Sequence, residues 1–171
     1  MQSFKIIKPI HILTPYVRYY WILEDGADVS VSERTLPTGC IQLVFHRGKR
    51  LLLVGKKESQ PQAFICGQCL NFSDVMSAGK IEMITVVFQP YAARAILQLP
   101  LKFFYGELIA VDAIEDLELS ILSRKVIEAD DHETCIRLIE QFLIHRLYRF
   151  EGYEYNLKRI SAVLHQLNER A

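Results

Sequence analysis

Residues 33–46 read ERTLPTGCIQLVFH, and this stretch says more about the fold than any other part of the chain. Pro37 fixes its own φ and Gly39 allows a positive φ, so the backbone can reverse direction here. The following residues alternate between two faces of a strand, with Ile41, Leu43 and Phe45 on one face and Cys40, Gln42, Val44 and His46 on the other. The pattern predicts a turn that leads into a half-buried strand over 40–46.

Similar short apolar runs, separated by turn residues, fill the first half of the chain. They predict seven strands, at 18–24, 29–36, 40–46, 50–54, 62–66, 72–76 and 81–88. Short strands at regular spacing indicate a sandwich or a barrel.

From residue 91 onward the apolar residues recur at helical spacing. They predict helices at 91–97, 116–129 and 132–150, with Asp131 as the N-cap of the last helix and Gly152 as its stop. We therefore expect an α+β chain. A β-barrel or jelly-roll-like (cupin-like) half occupies residues 1–110, and a helical subdomain over 111–152 packs on it.

Residues 153–171 carry a separate helical pattern. Tyr153, Leu157, Ile160, Leu164 and Leu167 recur at intervals of four and three, which makes a seam of about two heptads. Three interpretations stay open: a helix packed on its own domain, a dimerisation or linker helix, or the start of a further domain. In a dimer, Leu157, Ile160, Leu164 and Leu167 would form the contact.

Composition limits the classes of function. The chain has 171 residues, of which 50% are hydrophobic and 23% charged, so it can form one domain with a real core. Twenty Lys and Arg residues balance twenty Asp and Glu residues, which disfavours direct DNA binding through phosphates. The sequence has no membrane-spanning apolar run and no signal-peptide core at its start, so we expect a cytoplasmic protein.

Motifs that would carry chemistry are weak. Cys66 and Cys69 form a CxxC, but the further ligands that a structural zinc site needs do not follow at suitable spacing. The histidines are too scattered to converge as a cupin-type metal site requires. No phosphate loop, nucleophile elbow or His-Glu-x-x-His is present. We expect no catalytic residue, no metal and no cofactor.

One basic cluster follows the strand at 40–46. It consists of Arg47, Lys49 and Arg50, with Lys56 and Lys57 nearby. Because glycines interrupt it, we expect a solvated hairpin loop.

Four segments resemble the N-terminal sensor domain of AraC-family transcriptional regulators. These are the Arg-x-x-Pro-x-Gly turn and strand at 34–46, FICGQ at 64–68, VVFQPYAA at 86–93 and YVRYYW at 16–21. The resemblance covers most of residues 10–150. It implies a bacterial regulatory domain in which the β half binds a small effector and the helices mediate a homodimer. DNA would be bound only by two helix-turn-helix units, which this chain lacks up to Ala171. The alternatives are a cupin-type small-molecule enzyme and a pure dimerisation module without a ligand.

Aromatic residues are frequent in the β half and are candidates for the interior of a barrel. A packed interior is favoured because small barrels generally fill with side chains. A residual pocket would be apolar with a few polar groups. The candidate ligand-binding residues are Tyr19, Trp21, Arg34, Gln42, Phe45 and Phe64.

Overall fold

The computed structural model of this chain describes residues 2–26, 32–35, 39–56, 58–68, 72–77, 79–100, 105–106 and 108–149. The strands are β1 (Gln2–Ile7), β2 (Val17–Asp25), β3 (Ser32–Thr35), β4 (Gln42–His46), β5 (Leu52–Leu53), β6 (Glu58–Ser59), β7 (Ala63–Cys66), β8 (Ser73–Met76), β9 (Ile81–Phe88) and β10 (Leu108–Ala110). The α-helices are α1 (Ala93–Leu97), α2 (Leu117–Glu128) and α3 (His132–Tyr148). Short 3-10 helices lie at His11–Leu13 and Val111–Ala113.

The strands form two antiparallel sheets. The larger sheet has six strands in the order β1-β2-β9-β4-β7-β10, and the smaller has four in the order β3-β8-β5-β6. Strands fill the first part of the chain and the two long helices follow them. This confirms the predicted α+β class.

The central strands of the six-stranded sheet are covered on both faces. One face packs against the helices in the main core, which includes Phe45, Ile84 and Ile139. We call the other face the inter-sheet face, because its side chains pack with Val75 of the four-stranded sheet in a second cluster that includes Val44. The described elements thus form three layers: helices, six-stranded sheet and four-stranded sheet.

The strand predicted over 40–46 is more deeply buried than expected. β4 begins at Gln42 and lies between β9 and β7. The predicted alternation holds, but Phe45 is fully buried on one face and Val44 is only 4% exposed on the other. The expectation of a half-buried strand is therefore wrong, because both faces of this central strand are covered. Gly39 has the predicted positive φ, at 67°, whereas Pro37 lies outside the described residues.

Three strands are absent from the sequence prediction. β1 has exposed apolar side chains, with Phe4 and Ile6 each 59% exposed. β6 consists of two exposed polar residues, and β10 of three half-buried ones. Segments this short or this exposed show no clear alternation of apolar and polar residues, so the sequence pattern does not predict them. They are strands because they pair with neighbouring strands.

The long helices match their predicted positions to within one or two residues. The N-cap Asp131 accepts a hydrogen bond from the backbone N–H of Thr134 at 2.7 Å, as expected. Asp116 caps α2 in the same way, accepting from the N–H of Leu119 at 3.0 Å. No helix in the described part of the chain is long and apolar enough to cross a membrane. Gly152 and the seam residues Leu157, Ile160, Leu164 and Leu167 lie outside the described residues.

Candidate functional site

Strand register places most of the predicted ligand residues on the inter-sheet face. Directly paired residues of neighbouring antiparallel strands share a face. One row across the sheet contains Tyr19, Val87, Gln42 and Cys66, and the next contains Trp21, Thr85, Val44 and Phe64. The structure therefore brings together four of the six predicted residues, namely Tyr19, Trp21, Gln42 and Phe64.

The other two predicted ligand residues do not join this face. Phe45 is one residue out of phase with Val44 and lies in the helix-facing core. Arg34 lies on β3, where its Nε is 2.8 Å from Oδ1 of Asp74 and its guanidinium stacks 3.9 Å from the ring centre of Phe72. The Arg34 side chain is 56% exposed. Its observed role is an exposed link between β3 and β8.

A buried imidazole stands at the end of β4 on the same face. His46 is fully buried, and its Nε2 lies 2.9 Å from Oε1 of the buried Gln60. With that amide oxygen as acceptor, Nε2 carries the proton and Nδ1 is left as an acceptor. Burial lowers the pKa of His46 below its ordinary 6.5, because the charged ring would lose its hydration. Nδ1 has no hydrogen-bond partner within the described structure.

A buried hydroxyl lies one row away. Thr85 is fully buried on β9, and its Oγ1 also lacks a partner among the described residues. Met83, two residues before Thr85, pairs with His46, so both polar atoms belong to adjacent rows of one face. A buried polar atom without a partner costs about 1–3 kcal/mol. His46 Nδ1 and Thr85 Oγ1 are therefore the atoms that a bound polar group would satisfy.

Sequence reasoning missed His46 and Thr85 as site residues. His46 is one of several scattered histidines, and Thr85 lies inside an apolar run whose pattern predicts core. Over the described ranges, no three His, Cys, Asp or Glu side chains cluster closely enough to hold a metal ion. The alternation over 40–46 does place His46 on the same face as Gln42 and Val44. This is the feature of the sequence that points to His46 as a residue of the site.

Arg47 connects this strand to the helices. Its side chain is only 10% exposed, and its Nε lies 2.7 Å from Oε1 of Glu82 on β9. It donates to the carbonyl oxygens of Val126 at 3.2 Å and Ala129 at 2.6 Å, at the C-terminal end of α2. It also donates to the sulfur of Cys135 on α3. The expected solvated loop is thus wrong for Arg47.

The neighbours of Arg47 behave differently. Lys49 and Arg50 are exposed, in agreement with the predicted solvated loop. Adjacent residues of a strand point to opposite faces. The His46 ring lies 5.8 Å from the ring of Phe64 in the inter-sheet cluster, and the next residue, Arg47, binds α2 and α3.

Residues 5–110 match the family model described as a domain of unknown function, DUF6597. The chain belongs to the DUF6597 family. The matched span contains nearly all of the two sheets and ends before α2, so the inter-sheet face lies within the DUF6597 region. A search of curated proteins finds no match.

Proposed function

We propose that this chain is the regulatory domain of a bacterial AraC-like transcription factor that acts in the cytoplasm, and that its β half binds a small effector. One observation carries the proposal. Each of the four segments that resemble AraC-family sensor domains contributes residues to one of β2, β9, β4 and β7, which are consecutive neighbours in the six-stranded sheet. Segments scattered over 16–93 thereby form one continuous surface, which is what a shared binding interior requires.

The finer fold assignment belongs to this proposal. We take the two facing sheets as the halves of a cupin-like, jelly-roll-like barrel. The shared apolar cluster between them supports this, since the inner faces of two packed sheets form one core. The effector would bind between the sheets.

The chemistry of the interior defines the class of effector. Trp21 and Phe64 offer an apolar lining, and Thr85 and His46 offer buried polar atoms without a partner in the described structure. A neutral His46 presents an acceptor at Nδ1, so it fits a hydroxyl or N–H donor on the ligand. The expected effector is a small, mostly apolar, uncharged molecule that carries such a donor.

The route of the signal follows from β4. A ligand that binds His46 would shift the end of this strand, and the next residue, Arg47, bonds directly to the end of α2 and to Cys135 on α3. A change at the inter-sheet face would thus alter how the helices are held against the sheet. In the proposed full protein, the helices in turn position the DNA-binding half.

A binding screen tests the effector proposal. Small neutral molecules are added to the chain, and binding is followed by thermal shift and by the fluorescence of Trp21, the single tryptophan. For a ligand found in this way, Thr85→Val should weaken binding about tenfold, equivalent to roughly 1.4 kcal/mol. The unliganded variant should be at least as stable as the wild type, because valine removes a buried hydroxyl that has no hydrogen-bond partner.

A matched control distinguishes the site from a general effect. Thr35→Val changes an exposed threonine on β3 and should leave ligand binding unchanged. Equal affinity of the ligand for the Thr85→Val and Thr35→Val variants would show that the ligand binds elsewhere. A broad screen without a hit would favour the second candidate, a dimerisation module without a ligand. The dense packing of Val44 and Phe64, 4% and 3% exposed, supports that candidate.

We also propose that the chain forms a homodimer and reaches DNA only through a separate domain. The helical layer leaves Leu117 and Tyr148 more than two-thirds exposed, which supports self-association. Light scattering on a size-exclusion column should give twice the chain mass. A monomer at high protein concentration would contradict this part of the proposal.

A further inference from the structure

Among the described strands, β1 is a terminal strand of the six-stranded sheet. It pairs with β2 over the whole of Gln2–Ile7, and no described strand pairs with its other side. In an antiparallel sheet, part of the N–H and C=O groups of an edge strand point away from its one neighbour. β1 contains no proline, so it keeps all its backbone donors. Another strand can therefore pair with this edge.

The apolar surface of the inter-sheet face continues onto β1. Phe4 and Ile6 are each 59% exposed. Strand register places them beside Leu23 and Trp21, which belong to the inter-sheet cluster. The Phe4 ring lies 5.7 Å from the Trp21 ring. An edge strand that exposes both its backbone and large apolar side chains is a surface for pairing with another chain.

Two copies of β1 can pair with each other through a two-fold axis perpendicular to the sheet. Such an axis makes the two strands antiparallel, keeps every residue on its own face, and sets one residue opposite its own copy. Only an axis at Phe4 or at Lys5 pairs five of the six residues of β1, namely 2–6 or 3–7. An axis at Lys5 would oppose two like charges, which destabilises a cross-strand pair. An axis at Phe4 instead opposes two apolar rings.

Charge complementarity also favours the axis at Phe4. Lys5 then lies opposite Ser3 of the second copy, and that Ser3 pairs with Glu24 in its own sheet. The charged residues Lys5 and Glu24 are thus two strands apart on one face, about 10 Å between backbones. The small serine between them leaves room for the ammonium and the carboxylate to meet. The Glu24 side chain is 49% exposed, and the two-fold axis forms the contact twice.

We propose that two copies of the chain dimerise through β1, by antiparallel pairing of residues 2–6, so that their six-stranded sheets join edge to edge. This inference rests on the proposed homodimer and names its interface. Leu117 and Tyr148 of the helical layer are exposed as well, but β1 adds a backbone edge and a matched pair of charges. Because Phe4 contacts Trp21, the interface adjoins the candidate effector site.

Mixtures of charge variants test the interface, by analytical ultracentrifugation of chains without an N-terminal tag over a concentration series. Lys5→Glu and Glu24→Lys each place like charges at both contacts, so each variant alone should dimerise about tenfold more weakly than the wild type. In an equimolar mixture, a chain of one variant meets a chain of the other and both contacts become attractive. Dimers of nearly wild-type affinity should return. An effect confined to one chain would not be rescued by mixing.

An apolar-to-charged substitution gives an independent test. Phe4→Lys opposes two ammonium groups at the axis and should weaken the dimer roughly tenfold or more, with the circular dichroism spectrum of the fold retained. Leu117→Lys is the matched control, since Leu117 is 75% exposed on α2, and it should leave the dimer unchanged.

The outcomes separate this inference from the homodimer itself. A dimer that Phe4→Lys leaves intact, or that mixing of the charge variants fails to restore, would overturn the β1 interface while the homodimer stands. A dimer lost only in Leu117→Lys would assign the contact to the helical layer and would also overturn the inference. A wild-type chain that stays monomeric at high concentration would contradict both.

Discussion

Replacing Arg47 by methionine should destabilise the whole domain, although Arg47 follows a strand in a stretch that reads as a loop. The guanidinium lies 2.7 Å from the Glu82 carboxylate and donates to two carbonyl groups at the end of α2. Methionine keeps much of the side-chain volume but leaves these acceptors without their donor. Breaking a buried ion pair costs about 3–5 kcal/mol. Glu82 is 31% exposed and can regain some hydration, so we take the lower end, about 3 kcal/mol.

Urea and thermal unfolding, followed by far-UV circular dichroism, measure this loss. For a domain of this size, about 3 kcal/mol lowers the melting temperature by roughly 6–12 °C. Arg50→Met is the matched control, because Arg50 is exposed, and its effect should stay within about 0.5 kcal/mol. Arg47→Lys should fall between the two, since an ammonium keeps the charge but cannot form the same fork of bonds. Equal stabilities for Arg47→Met and Arg50→Met would refute the assigned role of Arg47.

Three further predictions concern metal, pH and DNA. Protein purified without chelator should contain no stoichiometric metal by elemental analysis, and about one zinc per chain would instead support a cupin-type enzyme. Because burial lowers the pKa of His46, the unfolded state binds its proton more tightly, so His46 should make stability fall as the pH drops below about 6.5. His46→Gln should remove that part of the pH dependence in urea titrations between about pH 5 and 7.5, and an unchanged slope would contradict it. The zero net charge predicts that the 171-residue chain leaves promoter DNA unshifted in a gel, and a specific, salt-sensitive shift would show that a recognition element lies within this chain.

Local pattern was enough to predict the elements that bury an alternating or helical face. The strand at 81–88, the two long helices and the Asp131 cap follow from spacing and capping chemistry alone. The pattern did not reveal that Val44 and Phe45 are both buried, because burial of both faces depends on what packs against the sheet. It also missed β1, whose exposed Phe4 and Ile6 are held by pairing with β2.

The candidate site could be predicted only in part, because its contacts also depend on how distant segments pack together. Alternation placed Tyr19 and Trp21 on one face, and the observed register agrees. Arg47 reads as part of a charged loop because its acceptors lie far along the chain, 79 residues away at Val126. The sequence also does not predict that Thr85 and His46 have polar atoms without partners. It shows which groups need hydrogen-bond partners, but not which partners the fold supplies.

The most direct test of the regulatory assignment is the coding sequence beyond Ala171. Reading the genomic frame past this codon determines whether the chain continues into a DNA-binding half. We predict a continuation of about a hundred residues or more, within the usual range for a further domain, with two helix-turn-helix units, each with a short turn between two compact helices and a polar recognition face. A stop codon directly after Ala171 would contradict the proposal that this chain is the regulatory half of an AraC-like transcription factor.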